Sequence, residues 1–358
     1  MESSHSNLSE SDSGPLVTIG IPTFNRVHWL KDCILSALAQ SYQRYEIIVS
    51  DNASTDGTAG LLRQFSDPRL RVVTQERNLG PMQNWNVCVT EAKGDYIVIV
   101  PDDDRIAPWM LDRCVSLLRT DPGLAVIIGI GDVYLVADRQ ILPAIGSRKL
   151  ATGIREGVDI LEEYLRGRIS AHVCTIMFRT EALRAIGGWP LHWPFAGDLA
   201  TWMPILLSGR AGLVNESCGV YCSHAETQTS RFDIEFRLKD LQRIVHLIRA
   251  EADDKIADPK RRCTLESLAK AYFTRHAIGI IASRRRTNAT LPDLLPVLWQ
   301  WHRDLCSGLI RLKCGDLFPL ARSLALLLLP APLTRLLRRS IRALRRKRPY
   351  PAFTTVAQ

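Results

Sequence analysis

The sequence predicts an α/β fold, a mostly parallel sheet with helices on both faces, followed by a helical C-terminal region. Three observations carry that prediction. From Leu16 to Val100, short apolar runs alternate with segments of helical spacing. The runs are continuously apolar and do not alternate with polar residues, so both faces of each strand must be covered. Two acidic turns, S-D-N-A-S-T-D-G at 50–57 and P-D-D-D at 101–104, each follow the end of such a run. Carboxyl ends of parallel strands are where open α/β sheets bind ligands.

The elements follow in order. L-V-T-I-G-I-P is a strand closed by Pro22, and H-W-L-K-D-C-I-L-S-A-L-A-Q spaces its apolar residues as a helix does. Y-E-I-I-V-S-D is a second strand ending in Asp51, and Asp56, Gly57 and Thr58 open a helix running to about Phe65. R-L-R-V-V-T is a third strand, M-Q-N-W-N-V-C-V-T-E-A a helix, and D-Y-I-V-I-V the strand that delivers Asp102, Asp103 and Asp104. A helix starts near Pro108. Beyond Asp121 the pattern loosens. A-V-I-I-G-I-G-D-V-Y-L-V and H-V-C-T-I-M-F-R read as strands, and I-G-G-W-P-L-H-W-P-F-A-G-D as a loop ending at Asp198. L-A-T-W-M-P-I-L-L-S-G is a helix with a proline inside, and a strand from Ala211 ends at His224. From Ile234 to about Leu329 the pattern is helical.

At 358 residues the chain suits a main domain with an appendage. The divisions expected are a disordered leader over 1–14, the α/β domain over 15–232, a helical region over 233–316 and a basic amphipathic tail over 317–358. The net charge is +9, but 335–348 hold seven Arg and one Lys with no acid, and 9 − 8 leaves the rest at +1. That balance argues against a nucleic-acid-binding body. The nine cysteines are scattered without a C-x-x-C or zinc spacing, and reduced thiols in the cytoplasm are expected. The leader lacks the cationic start and apolar stretch of a targeting signal.

Neither G-x-G-x-x-G nor G-x-x-x-x-G-K-[ST] occurs. A nucleotide bound here would be held by carboxylates and a metal instead of a glycine cradle. Three adjacent carboxylates at 102–104 also require a counter-charge.

V-T-I-G-I-P-T-F-N-R, Y-E-I-I-V-S-D-N-A-S-T-D-G-T, N-L-G, G-D-Y-I-V-I-V-P-D-D-D, G-G-W with G-D-L-A-T-W, and Y-C-S-H resemble, in that order, the motifs of the inverting family-2 glycosyltransferases of the GT-A fold. The resemblance covers roughly 16–230. It implies a nucleotide-sugar donor, with a UDP or dTDP leaving group, on the first half of the sheet. Pro22, Phe24, Asn25 and Asp51 would hold the base, with Thr23 among the donor-binding residues, and a carboxylate at Asp51 can accept the imide N–H of uracil or thymine. Asp51 is otherwise a solvated acid in a sequence of turn formers. Asn78 and Gly80 match a donor-side loop.

The resemblance also implies Mn²⁺ or Mg²⁺ at the acidic motif, bridging the donor diphosphate. The family's D-x-D-D falls on 101–104, where Pro101 replaces the first aspartate. Asp103 is then the foremost metal ligand and Asp104 a second candidate. Asp102 is placed for ribose or phosphate. The motif can alternatively be an acidic turn before a helix. Asp198 matches the family's general base, although G-D stands where members often have E-D; an N-cap is its other reading. His224 matches a residue near the pyrophosphate, as metal or phosphate ligand, or is structural. Trp189, His192 and Trp193 either stack on an acceptor sugar or, as we prefer, pack the loop. Q-T-S-R-F at 228–232 echoes processive synthases, but no stretch reaches the ~20 apolar residues of a membrane span, and a single-addition enzyme is expected.

Beyond Pro332, Leu333, Leu336, Leu337, Ile341 and Leu344 recur at helical spacing among arginines. This is the pattern of a helix lying in an anionic membrane surface. By analogy with the family, the acceptor is a glycan or lipid-linked precursor and the setting the cytoplasmic face of the inner membrane. Two other classes stay open. A catalytically inactive partner subunit with this fold would have little reason to keep both the acidic cluster and Asp198. A nucleotidyltransferase would want a glycine-rich loop where P-T-F-N-R stands.

Overall fold

The computed structural model describes residues 14–193, 195–227 and 232–283. The expectations for 1–13, for 228–231 within Q-T-S-R-F, for the helical pattern beyond Ser283 and for the basic tail lie outside the described residues. Gly14, expected in the leader, is buried and already packs on Tyr42. The described residues divide into one compact unit over 14–164 and 168–224 and another over 165–167 and 225–283.

In the first unit, β1 (Val17–Thr23), β2 (Tyr45–Asp51), β3 (Leu70–Thr74) and β4 (Tyr96–Ile99) form a parallel block in the order β3-β2-β1-β4. Every residue of β1 and β4 is buried, as their unbroken apolar sequences require. Full burial of an Ile or Val stabilises by about 1.5–3 kcal/mol, so Ile19, Ile21, Val98 and Ile99 anchor the block. β3 is an edge strand, half exposed, and carries Arg71.

The crossovers are α1 (Val27–Leu38), α2 (Thr58–Leu62) and α3 (Pro81–Glu91). α1 buries Leu30, Cys33, Ile34 and Ala37, the i, i+3, i+4, i+7 stripe of a core-facing helix. α3 starts at Pro81 after Gly80, whose φ of 84° suits glycine. It lies close to β1: a Cβ on Gly20 would meet the Cys88 Cβ at 2.7 Å.

The second half of the sheet mixes directions. β5 (Arg105–Ile106) and α4 (Met110–Thr120) lead to β6 (Val126–Leu135), β7 (Gln140–Leu142), β8 (Gly153–Glu156) and α5 (Gly157–Leu165). β9 (Ile176–Arg179), α6 (Thr180–Ala185), α7 (Gly197–Leu206) and β10 (Arg210–Ser223) complete the unit. β9 is antiparallel to both β4 and β6, while β10 runs parallel to β6 and antiparallel to β5 and β8. H-V-C-T-I-M-F-R is a strand only from Ile176. Val173–Thr175 form a 3-10 turn closed by the Thr175 hydroxyl on the His172 carbonyl.

The second unit contains α8 (Ile234–Lys255) and α9 (Pro259–Ser283), which pack on each other. Asp233 caps α8, accepting from the Phe236 N–H at 2.7 Å. No described helix is long and apolar enough to cross a membrane.

Candidate active site

The carboxyl ends of the parallel strands bring most of the expected residues together. Thr23, Asp51 and Thr74 stand in one row across β1, β2 and β3. Asp51 is buried, and its Oδ1 accepts the Ser54 N–H at 3.1 Å. Asn25 has a left-handed φ of 51°, a conformation asparagine tolerates better than most residues. It bridges the first and second strand ends: its N–H donates to Ser54 Oγ at 2.9 Å, and its Oδ1 accepts the Thr55 N–H at 2.7 Å. Pro22 is buried behind this loop, Phe24 is half-buried and Asn25 is exposed.

Two asparagines that the sequence reading passed over organise the edge. Asn84 of α3 is buried and ties β1 to β2. Its amide donates to the Thr23 and Ser50 carbonyls at 3.3 and 3.1 Å, and its oxygen accepts from Ser50 Oγ at 2.7 Å. Asn52 accepts the Leu79 N–H at 2.8 Å and donates to Asn78 Oδ1 at 2.9 Å. Asn78 thereby shapes the N-L-G loop, its oxygen also accepting the Gly80 N–H at 2.8 Å. A polar residue set in the apolar stripe of α3 was the available signal for Asn84.

Asp102, Asp103 and Asp104 are 3%, 7% and 1% exposed, so their charge has to be met locally. Thr23, expected to touch the donor, gives its hydroxyl to Asp102 Oδ2 at 2.7 Å. Arg26 Nη1 bridges Asp102 Oδ1 at 3.1 Å and Asp103 Oδ2 at 2.8 Å. His224 Nε2 meets the same Asp103 oxygen at 3.0 Å, and Trp29 stacks on the His224 ring at 4.5 Å. Arg26 stood inside the quoted P-T-F-N-R without a role; its charge beside a cluster needing one was the signal. Burial, joined by the Asp103 charge, pushes the Asp102 carboxyl up to about 6 against the pull of Arg26 and Thr23.

Asp104, the second ligand candidate, has partners on the β10 side. Its Oδ1 accepts the Cys222 N–H of β10 at 2.9 Å, and the Cys174 thiol hydrogen-bonds to it. Burial, then the neighbouring Asp103 charge, holds its carboxyl well above the usual range. The reason for these partners is local geometry: the turn closed by the Asp104 N–H on the Pro101 carbonyl leads straight into β5 beside β10.

For a hard divalent cation the donor set suits: two carboxylates with an imidazole beside them. Among the described residues no three His, Cys, Asp or Glu side chains form a closed metal cage. A cation that takes one or two carboxylates and completes its shell with substrate phosphates needs none.

Asp198 is the second residue of α7, and Ala196 occupies the N-cap, so Asp198 is not the capping residue. A Cβ on Gly197 would sit 3.0 Å from the Met82 sulfur, so this first turn lies on the first turn of α3, beside the N-L-G loop. A side chain at 197 would need the Met82 thioether to shift by a few tenths of an ångström. Asp198 is half-buried. Burial raises its carboxyl to about 6, opposed by the first-turn N–H groups of Leu199 and of Asp198 itself. Trp189 and Trp193 are buried, and Trp189 meets Trp85 and Phe178 edge-on. They pack the loop, while His192 is exposed.

A parallel sheet that gathers carboxylates at its carboxyl edge and then turns antiparallel is the arrangement of the GT-A fold. The solved structures agree. TarS 1–349 of S. aureus, in complex with UDP-GlcNAc, superposes with a TM-score of 0.62 at 15% identity, over 90% of this chain and 92% of that one. The mannosyltransferase PcManGT of Pyrobaculum calidifontis, in complex with GDP-Man and Mn²⁺, does so with a TM-score of 0.53 at 20% identity, over 87% and 85%. Residues 18–185, just under half of the chain, match the model of Glycosyl transferase family 2. The glycosyltransferase GlyG of Streptococcus pneumoniae is 36% identical over 116 residues, 32% of this chain and 38% of GlyG. The succinoglycan biosynthesis protein ExoO of Rhizobium meliloti is 34% identical over 105 residues, 29% and 30% of the two chains. The chain spans half or less of the length of these relatives.

Proposed function

We propose that the chain is an inverting glycosyltransferase that moves one sugar from a nucleoside-diphosphate sugar to an acceptor hydroxyl of a lipid-linked or surface-glycan precursor. The observation that carries the reading is the buried Asp102–Asp103 pair at the carboxyl edge of a family-2 sheet, with Asp51 on the same edge. Asp51 accepts the imide N–H of a uracil or thymine base. Asp102, expected at ribose or phosphate, shares one guanidinium with Asp103, and the two, with His224 beside them, would hold a Mn²⁺ or Mg²⁺ ion, which would supply positive charge to the leaving diphosphate. Asp198 takes the proton of the attacking hydroxyl. A carboxyl near 6 is ionised at neutral pH and more basic than an ordinary aspartate, which suits that task. Direct displacement at the anomeric carbon inverts it. The UDP-GlcNAc complex of TarS and the Mn²⁺ complex of PcManGT lend support to this donor and metal class.

Calorimetric titration of UDP and of dTDP, each with and without Mn²⁺, tests the reading. One nucleotide is expected to bind, and to need the metal. Binding of neither under any condition would remove the transferase assignment.

The basic tail over 317–358 places the enzyme on the cytoplasmic face of the inner membrane in this proposal. Its arginines contribute roughly 1 kcal/mol each near anionic lipid. Deleting 331–358 is expected to move the protein from the membrane pellet to the supernatant; unchanged pelleting would discard the tail's role.

A further inference from the structure

The acidic pair already holds a cation from its own chain. Arg26 Nη1 bridges Asp102 Oδ1 at 3.1 Å and Asp103 Oδ2 at 2.8 Å. The Arg26 side chain is 13% exposed, so the contact is shielded from water and salt. The remaining groups complete the arrangement: Thr23 takes the other Asp102 oxygen at 2.7 Å, and His224 shares the Asp103 oxygen at 3.0 Å. These are the oxygens a divalent cation would need, if Asp102 and Asp103 are its ligands as read above. A guanidinium and a divalent ion cannot both lie against the same two carboxylates without strong repulsion in a buried site.

We propose that Arg26 competes with the divalent cation for Asp102 and Asp103. Metal enters as the guanidinium leaves, and the anion that receives the guanidinium is the diphosphate of the incoming donor. Arginine suits the exchange. Its planar fork matches both carboxylate and phosphate, and it keeps its charge throughout. It sits at the N-cap of α1, outside the regular helix, with φ −139° and ψ 41°, on a long side chain that can change partners without moving the sheet. Metal and nucleotide therefore bind cooperatively, and the protein without donor stays poor in metal. Arg26 is a residue that sets the order and coupling of ligand binding.

The experiment measures Mn²⁺ affinity of the full chain by the loss of the free-ion EPR signal, for the wild type, Arg26→Gln and Arg26→Lys, with and without UDP. Without UDP, Arg26→Gln is expected to bind Mn²⁺ about tenfold more tightly than the wild type, the size of one charge-assisted pair released. UDP should strengthen Mn²⁺ binding to the wild type and do so much less in Arg26→Gln. Arg26→Lys, whose single ammonium bridges poorly, should fall between, and it carries the test should the glutamine variant fail to fold. Equal or weaker Mn²⁺ binding by both variants without UDP, in the presence of a wild type that binds Mn²⁺ and UDP together, overturns the competition alone. A wild type that takes up no Mn²⁺ even with UDP overturns the metal reading and the competition with it.

Discussion

Asp198→Asn is expected to abolish sugar transfer while leaving metal-dependent UDP affinity within about twofold of the wild type. A positioned general base contributes on the order of 10²–10⁴ in rate, and the amide cannot accept the proton. The pH profile gives a second readout. The working form is the carboxylate, so transfer should fall as pH drops through about 6, the value to which burial raises this group. That acid limb should become shallower in whatever residual rate the variant retains, leaving the part that belongs to Asp102, whose carboxyl is also raised to about 6. Stability should move the other way. The folded-state value lies above the ordinary aspartate value of about 3.9. The stability this group contributes is thus present below pH 3.9 or so and lost as pH rises through about 6. At pH 8 the charged form is a burden on the fold, and the neutral isostere should unfold at a higher temperature. A helix-stabilising acid in the first turn of α7 behaves in reverse: its loss lowers the melting temperature and spares turnover. Asp198→Asn with parental turnover would end the general-base role.

Asp103→Ala is expected to weaken metal-dependent UDP binding at least about 100-fold. Residues that only orient a metal ligand cost about 10–100-fold when changed, and this residue is proposed as a ligand itself. Its Oδ2 is also the oxygen shared by Arg26 and His224, so its removal takes the common partner from two side chains at once. Asp104→Ala is the matched control, only one residue away. Asp104 accepts the Cys222 N–H within the sheet, so removing that acceptor should lower the unfolding midpoint while altering UDP affinity little. The two calorimetric titrations, run side by side with thermal melts, separate a ligand from a structural acid. If Asp103→Ala binds UDP and Mn²⁺ as the wild type does, the ion is held elsewhere.

The sheet's first half was legible because its signal is local. V-T-I-G-I-P-T, Y-E-I-I-V-S-D and Y-I-V-I are apolar without interruption, and a strand of that kind has to be covered on both faces. The carboxyl edge followed from chain direction: in parallel strands linked by helices, the residues after each strand fall on one side. Asp51 and Asp102 were found that way before any contact was known. The second half resisted. β5 has two residues and β7 three, too short for a periodic signal, and the reversal of β9 depends on pairing partners far away in sequence.

The sequence by itself determined that this protein has a parallel sheet edge carrying acidic turns, because strand alternation and residue type are properties of short segments. It determined as well that the cluster at 102–104 needs a positive partner, since like charges repel wherever they are buried. Only the tertiary structure decided which partner that is in the folded chain. Arg26 lies 76 residues before Asp102, and no local rule links them. The contacts of three adjacent aspartates were likewise set in three dimensions. One turn directs Asp102 and Asp103 to Arg26 at the open edge and Asp104 toward β10. Adjacent side chains in a turn point in different directions, and what each one meets is set by elements the chain brings in from elsewhere.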